Sequence, residues 1–454
     1  MADSASIGAG PLAPLPGGPA GGFLVWDLSR VGYVSEEYLL PGVADVAEPI
    51  AVVDGLAREP GEGNPNGLVA RPLDFEAKVL QAAVPFVTRV ILYRPRDPKT
   101  FSGRVLMEPL HIGGGGHPVV FRTIHPFAIA NGDVFVGVQH PNNFEEVRGK
   151  DPARYGALHA ADASQLWGMI ATAGRAVRQG RLAGLVDYDV RRQFLTGRSF
   201  TGMATSAFAN FHHANARLDD GRNTFDGYLP LSCGYLIRGL DVPVIRLNTL
   251  GDYAMFGLHT RLPDSDEPGQ QTRLYEVAGA CHYYKYAPPA GEPPAPGRGA
   301  ADGEGAGPPG TPEWLASFGP GSRANDLPVR LVASAALANL YRWVEDGVAP
   351  PHAPMFETTP DGKPVMDGQG NVLGGVRTPY VDVPVATYGA GEGQFWLHGY
   401  MRPFNGGELR ALYGSREAYL ARFRDSLDRA VSERWVLPGD APLMLADAEA
   451  VSFD

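Results

Sequence analysis

The chain has 454 residues, enough for one elaborated domain or two, and at this size about three quarters of the unfolded surface can be buried without a covalent staple. Lysine and arginine number 39 against 50 aspartates and glutamates, and the net charge of −11 argues against nucleic acid and anionic membrane surfaces as partners. The cysteines are Cys233 and Cys281, which excludes a disulfide framework and four-cysteine zinc or iron–sulfur sites and leaves a single disulfide open.

Residues 1–22 are glycine, proline, alanine and serine for the most part and read as a flexible arm. They lack the basic and apolar regions of a signal peptide, and no run of 18 apolar residues occurs anywhere, so a soluble, cytoplasmic protein is the expectation. Residues 23–85 hold short apolar pieces such as Phe23–Trp26 between turn formers and read as a β-rich N-terminal extension.

From residue 86 the pattern alternates between strand and helix. Phe86–Arg94, Arg104–Leu110, Asp133–Val138, Gln193–Thr196, Pro243–Asn248 and Arg273–Val277 read as strands. Ser164–Arg178 carries Leu166, Ile170, Ala173 and Val177 at helical spacing. Such alternation predicts an α/β core over 86–288 with a mostly parallel central sheet flanked by helices. Residues 289–325 form a proline- and glycine-rich loop. Residues 326–454 would complete the same domain with helices and cap or rim elements. The clearest is a helix over 328–346, with Asp326 as its cap, Gly347 at its end and an apolar stripe of Val329, Val332, Ala336, Leu337, Leu340 and Val344. Residues 407–431 read as mostly helical, and 350–400 as turns and short strands.

The sharpest local signal is Gln193-Phe-Leu-Thr-Gly-Arg-Ser-Phe-Thr-Gly202, a short apolar strand running through Gly197-Arg198-Ser199 into a helical segment. A turn this tight lifts the Ser199 oxygen above the sheet at the positive end of the following helix, the setting of a nucleophile. The pattern departs from G-x-S-x-G, because Thr201 stands where the second glycine is usual and Gly202 comes one residue later. An ordinary turn serine is the competing reading.

A nucleophilic serine needs a base, and the base needs an orienting acid. In a parallel sheet these come from loops after later strands. Asp252 follows the 243–248 strand and His282 follows the 273–277 strand, giving the chain order Ser199, Asp252, His282. Taken singly, Asp252 could cap a helix and His282 could be a hydrogen-bonded loop residue; their placement after consecutive strands favours the catalytic reading. An oxyanion hole would use the backbone N–H of Phe200 and a donor from His111-Ile112-Gly113, where the 104–110 strand opens into four glycines. A merely flexible glycine loop is the alternative there.

Other chemistries fit less well. No H-E-x-x-H or H-x-H pattern occurs, and the adjacent His212 and His213 would point about 100° apart on a helix, so no metal is expected. The glycines at 113–116 are not followed by Gly-Lys-Ser/Thr, and no G-x-G-x-x-G opens a helix, so no phosphate or dinucleotide cofactor is expected.

These residues resemble those of the α/β-hydrolase superfamily, and more narrowly the bacterial α/β-hydrolase domain-containing proteins. The similarity rests on Gly197-Arg-Ser-Phe-Thr-Gly202, Arg104-Val-Leu-Met-Glu-Pro-Leu110, Pro243 to Asp252, and Glu276-Val-Ala-Gly-Ala-Cys-His282. It extends through Asp151–Tyr155 and Gly374–Pro379. The resemblance implies an α/β-hydrolase fold and a Ser199–Asp252–His282 triad. Together with the residues it leads to the expectation of a serine hydrolase without cofactor, acting on a small-molecule ester or lactone. A same-fold acyltransferase or lyase, and a non-catalytic binding protein on this scaffold, are the other classes.

Overall fold

The computed structural model describes residues 11–17, 28–51, 75–113, 116–237, 239–282, 311–391 and 397–454. Three sequence expectations therefore lie wholly or partly outside the described residues: the arm at 1–10 and 18–22, the Phe23–Trp26 piece, and 289–310 of the proline- and glycine-rich loop. The chain forms two compact units, the first taking the described residues up to Pro243 and the second those from Val244 onward.

The first unit is built on strands β1 (Tyr33–Ala51), β2 (Phe75–Pro95), β3 (Arg104–Pro109), β4 (Val134–Val138), β5 (Arg192–Arg198) and β6 (Gly227–Leu231) in the order β1-β2-β4-β3-β5-β6. β1, β2 and β4 pair antiparallel, whereas β4, β3, β5 and β6 run parallel. The parallel strands bury both faces, which is why Val105-Leu106-Met107, Val134-Phe135-Val136 and Phe194-Leu195 read as continuous apolar runs. Each such side chain contributes about 1.5–3 kcal/mol of burial.

β2 extends well beyond the Phe86–Arg94 alternation. Its first half pairs with β1 alone, leaving Val79 and Leu80 exposed, so no buried face imposes an alternating pattern there. Helices α1 (Val119–Ala130), α2 (Phe144–Lys150), α3 (Pro152–Tyr155), α4 (Leu166–Arg178) and α5 (Phe200–Phe211) connect the strands. The helix expected from Ser164 begins as a 3-10 turn, Ala163–Gln165, closed by an Asp162–Gln165 capping box, and α4 follows from Leu166. In the arm, Leu12 exchanges backbone hydrogen bonds with Arg181 and Ala183.

The second unit pairs β7 (Val244–Thr249) with β8 (Thr272–Val277) in parallel. It adds an antiparallel sheet of β9 (Arg323–Ala324), β10 (Ala386–Ala390) and β11 (Gly399–Pro403) in the order β10-β11-β9. Its helices are α6 (Leu250–Phe256), α7 (Pro312–Ala316), α8 (Arg330–Asp346), α9 (Pro379–Asp382), α10 (Gly406–Tyr413), α11 (Arg416–Ser432) and α12 (Ala441–Glu449).

α8 buries Val332, Ala336, Leu337 and Leu340 as expected, with Val344 half-buried and Trp343 buried in its place. Asp326 does not cap it. The helix begins after Val329, which makes no side-chain cap bond; ahead of it the buried Asn325 accepts from the Leu327 N–H at 3.0 Å and donates to the Gly279 carbonyl at 2.8 Å, while Asp326 sits 3.8 Å from Arg323. Residues 407–431 fall into α10 and α11, separated at Gly414 and restarted by the Ser415 cap. Cys233 and Cys281 are both buried thiols, so the disulfide left open by the sequence is not formed. Among the described residues no helix is long and apolar enough to cross a membrane.

Candidate active site

β5 ends at Arg198, and α5 begins at Phe200, so a single residue, Ser199, turns the chain from strand to helix. It does so at φ 56° and ψ −124°, a conformation that a residue with a side chain adopts only under constraint from its surroundings. Those constraints are visible. The Ser199 N–H donates to the Leu231 carbonyl on β6 at 3.0 Å, and the Ser199 carbonyl accepts from Met203 at 2.9 Å. Thr201 is fully buried, and its hydroxyl accepts from the Arg198 N–H and donates to the Arg198 carbonyl, both at 3.0 Å. Gly202 supplies the close approach: a Cβ there would lie 2.7 Å from the Leu231 carbonyl oxygen. The departure from G-x-S-x-G thus has a local logic, with threonine bracing the turn from inside and glycine displaced by one residue.

β3 lies beside β5 and opens into His111-Ile112-Gly113. Two of the three candidate donors there already have acceptors. The His111 N–H donates to the His117 carbonyl at 3.0 Å, and the Gly113 N–H to Nδ1 of His111 at 3.1 Å. Among the described residues the Ile112 N–H has no acceptor, and neither has the Phe200 N–H. The Ile112 carbonyl is fixed instead, accepting from Nδ2 of Asn143 at 2.5 Å. Next to this loop, Gln139 accepts from Arg89 at 3.0 Å, and Arg89 pairs with Glu37, both fully buried.

In the second unit, β7 runs directly into α6, and Asp252 occupies its first turn. Thr249 and Asp252 form a capping box: the Thr249 N–H and hydroxyl donate to Oδ2 of Asp252 at 2.7 and 2.8 Å, and the Asp252 N–H donates to the Thr249 hydroxyl at 3.2 Å. The other oxygen, Oδ1, accepts from Nδ1 of His282, which follows β8, at 2.6 Å. Both residues are buried. Burial alone would raise the Asp252 pKa; the His282 ring and the Thr249 donors outweigh it and hold the carboxyl below its ordinary range. An ionised Asp252 fixes the His282 proton on Nδ1, which leaves Nε2 as the basic nitrogen of the neutral ring.

Ser199, Phe200 and His111–Gly113 therefore belong to the first unit, and Asp252 and His282, brought into contact, to the second. Sequence reasoning missed three local contributors: the Thr201 brace, the Asn143 tie to Ile112, and His140, whose ring packs on Phe200 with centroids 5.3 Å apart. For His140 a signal existed, since it follows the 133–138 strand much as His111 follows the 104–110 strand. The adjacent histidines also have partners of their own: His213 bonds Tyr228 and Asp241, and His212 stacks on Trp167.

Comparison with solved structures gives distant likenesses. Esterase 2 of Thermogutta terrifontis, solved phosphonylated by cyclosarin, is 14% identical with a TM-score of 0.28, over 42% of this chain and 76% of that one. A thermostable esterase from Pseudomonas putida is 11% identical with a TM-score of 0.27, over 42% of this chain and 68% of that one. An esterase from Pyrobaculum calidifontis is 18% identical with a TM-score of 0.22, over 44% and 47% respectively. No curated protein matches the chain. The alpha/beta hydrolase domain family matches residues 9–446, nearly the whole sequence, and the chain belongs to that family.

Proposed function

We propose that the chain is a serine hydrolase of carboxylic esters or lactones, with Ser199 as nucleophile, His282 as general base and Asp252 as orienting acid. Family membership supports the fold and leaves the chemistry to the site. The observation that carries the reading is the buried 2.6 Å bond between His282 and Asp252, on the loops after two consecutive parallel strands. The constrained backbone of Ser199 adds to it.

In this mechanism His282 Nε2 takes the Ser199 proton as the Ser199 oxygen attacks the substrate carbonyl. Asp252 stabilises the imidazolium without itself taking the proton. The Phe200 and Ile112 N–H groups stabilise the tetrahedral oxyanion. His282 then protonates the departing alcohol, and a water, activated by the same ring, releases the acid from Ser199 and restores the enzyme.

The test is product analysis on a panel of short-chain esters and lactones in water, with wild type, Ser199→Ala and Asp252→Asn. Release of the free acid is expected from wild type, none above background from Ser199→Ala, and a loss of kcat on the order of 10³–10⁴-fold for Asp252→Asn. Turnover that survives in Ser199→Ala would refute the assignment. Product that appears only when an alcohol or amine acceptor is supplied would make the enzyme an acyltransferase.

A further inference from the structure

β4, β3 and β5 are neighbours and run parallel, so the residues that follow them emerge at one edge of the first unit's sheet. After β3 comes Ile112 and after β5 comes Ser199. After β4 comes His140, which the mechanism above does not use. A short turn, Pro141–Asn143, follows it and does two things. The Asn142 N–H donates to Nδ1 of His140 at 3.1 Å, which puts the proton of the neutral ring on Nε2. Asn143 holds the Ile112 carbonyl at 2.5 Å, so the same turn is tied to the loop that bears the unpartnered Ile112 N–H. The His140 ring packs on Phe200, whose N–H is the other unpartnered donor.

His140 is only 4% exposed, and among the described residues its Nε2 has no partner. Nε2 is not one of the fully enclosed unsatisfied side-chain atoms among the described residues, so its N–H is left to meet solvent or a ligand. Burial, with His111 adding to it, pushes His140 down to about 4, so at neutral pH the ring is a donor rather than a cation.

We propose that Nε2–H of His140 donates to the substrate's carbonyl oxygen, making a three-donor oxyanion site with the backbone N–H groups of Phe200 and Ile112. The proposal rests on the Ser199 reading and gives that reaction a side-chain contributor from β4. It also specifies the ligand at this point as an acyl carbonyl that gains negative charge.

The experiment is steady-state hydrolysis of p-nitrophenyl acetate by the full chain as wild type, His140→Leu and His140→Gln. His140→Leu is expected to lower kcat by about 10²–10³-fold with KM changed by less than about threefold. His140→Gln keeps an N–H donor and is expected to recover at least about tenfold over His140→Leu. A His140→Leu enzyme at the wild-type kcat, or one impaired in KM alone, would overturn the proposal. A readout free of turnover uses wild-type protein labelled with nitrogen-15 in its histidines. The Nε2 proton of His140 is expected to shift downfield when a fluorophosphonate occupies Ser199, and an unmoved resonance contradicts the bond even if His140→Leu does not fold. Wild type that neither hydrolyses nor labels would refute the Ser199 reading and this proposal with it; labelling at Ser199 alongside full activity in His140→Leu would refute this proposal alone.

Discussion

Thr201 illustrates how one side chain holds a strained turn. Its hydroxyl satisfies the N–H and the carbonyl of Arg198, immediately before Ser199, from a fully buried position. Valine has the same shape and neither bond. Thr201→Val is expected to cost about 1–3 kcal/mol in urea unfolding. It is also expected to slow fluorophosphonate labelling of Ser199 by about tenfold, because the turn that aims the oxygen loses its brace. Labelling at the wild-type rate would show that the backbone of Ser199 is held by Gly202 and β6 alone. Asp252 makes a different point at the same scale. The sequence reading set a helix cap against an orienting acid, yet a carboxylate has two oxygens, and Asp252 uses one for Thr249 and the other for His282.

At the scale of elements, the proposed site residues lie on loops that follow parallel strands, and the positions of those loops were legible where punctuation was strong. The β5–Ser199–α5 junction stood out because an apolar run meets glycines and then a helical pattern. The β7 and β8 loops stood out because Asp252 and His282 follow short apolar strands. The glycine loop after β3 was legible as a loop but not in its donors, since the fates of the His111 and Gly113 N–H groups depend on the His117 carbonyl and on the turn of the His111 ring. The start of α8 was misread because no side chain caps it, and the segment before it is held by Asn325, which bonds the carbonyl of Gly279, 46 positions away.

The packing of α6 against the loop before His282 gives an element-scale prediction. A Cβ on Gly251 would lie 2.9 Å from the His282 backbone nitrogen and 3.2 Å from Cys281 Cα, both backbone atoms that cannot swing aside. Gly251→Val is expected to displace the His282 loop, lowering kcat for ester hydrolysis by at least about tenfold and stability by about 1–3 kcal/mol. A variant with wild-type kcat would show that the Asp252–His282 geometry does not depend on this contact.

For the whole molecule, the fold class was legible because strand and helix patterns alternate over residues 86–288, and the family match over residues 9–446 agrees with it. The β1–β2 ribbon was legible only as a β-rich extension and not in its length or pairing, because half of β2 has no buried face to impose a period. Stability against pH is a property of the molecule as a whole, and two buried histidines contribute to it with a definite sign. His140 and His212 are both pushed down to about 4, by burial foremost. Between their ordinary value near 6.5 and about 4, the unfolded chain takes up these protons and the native state does not. Stability contributed by the neutral rings is therefore complete above about pH 6.5 and declines as pH falls toward 4. The urea midpoint is expected to drop over that window, and to drop less in His212→Gln; a midpoint that stays flat down to pH 4 would contradict the burial of both rings.

The most direct test of the central claim is the intact mass of the full chain after incubation with a fluorophosphonate, for wild type and Ser199→Ala. One adduct on wild type and none on the variant is the predicted result. A well-folded wild type that gains no mass, or a Ser199→Ala protein that gains the same mass, would contradict Ser199 as the nucleophile.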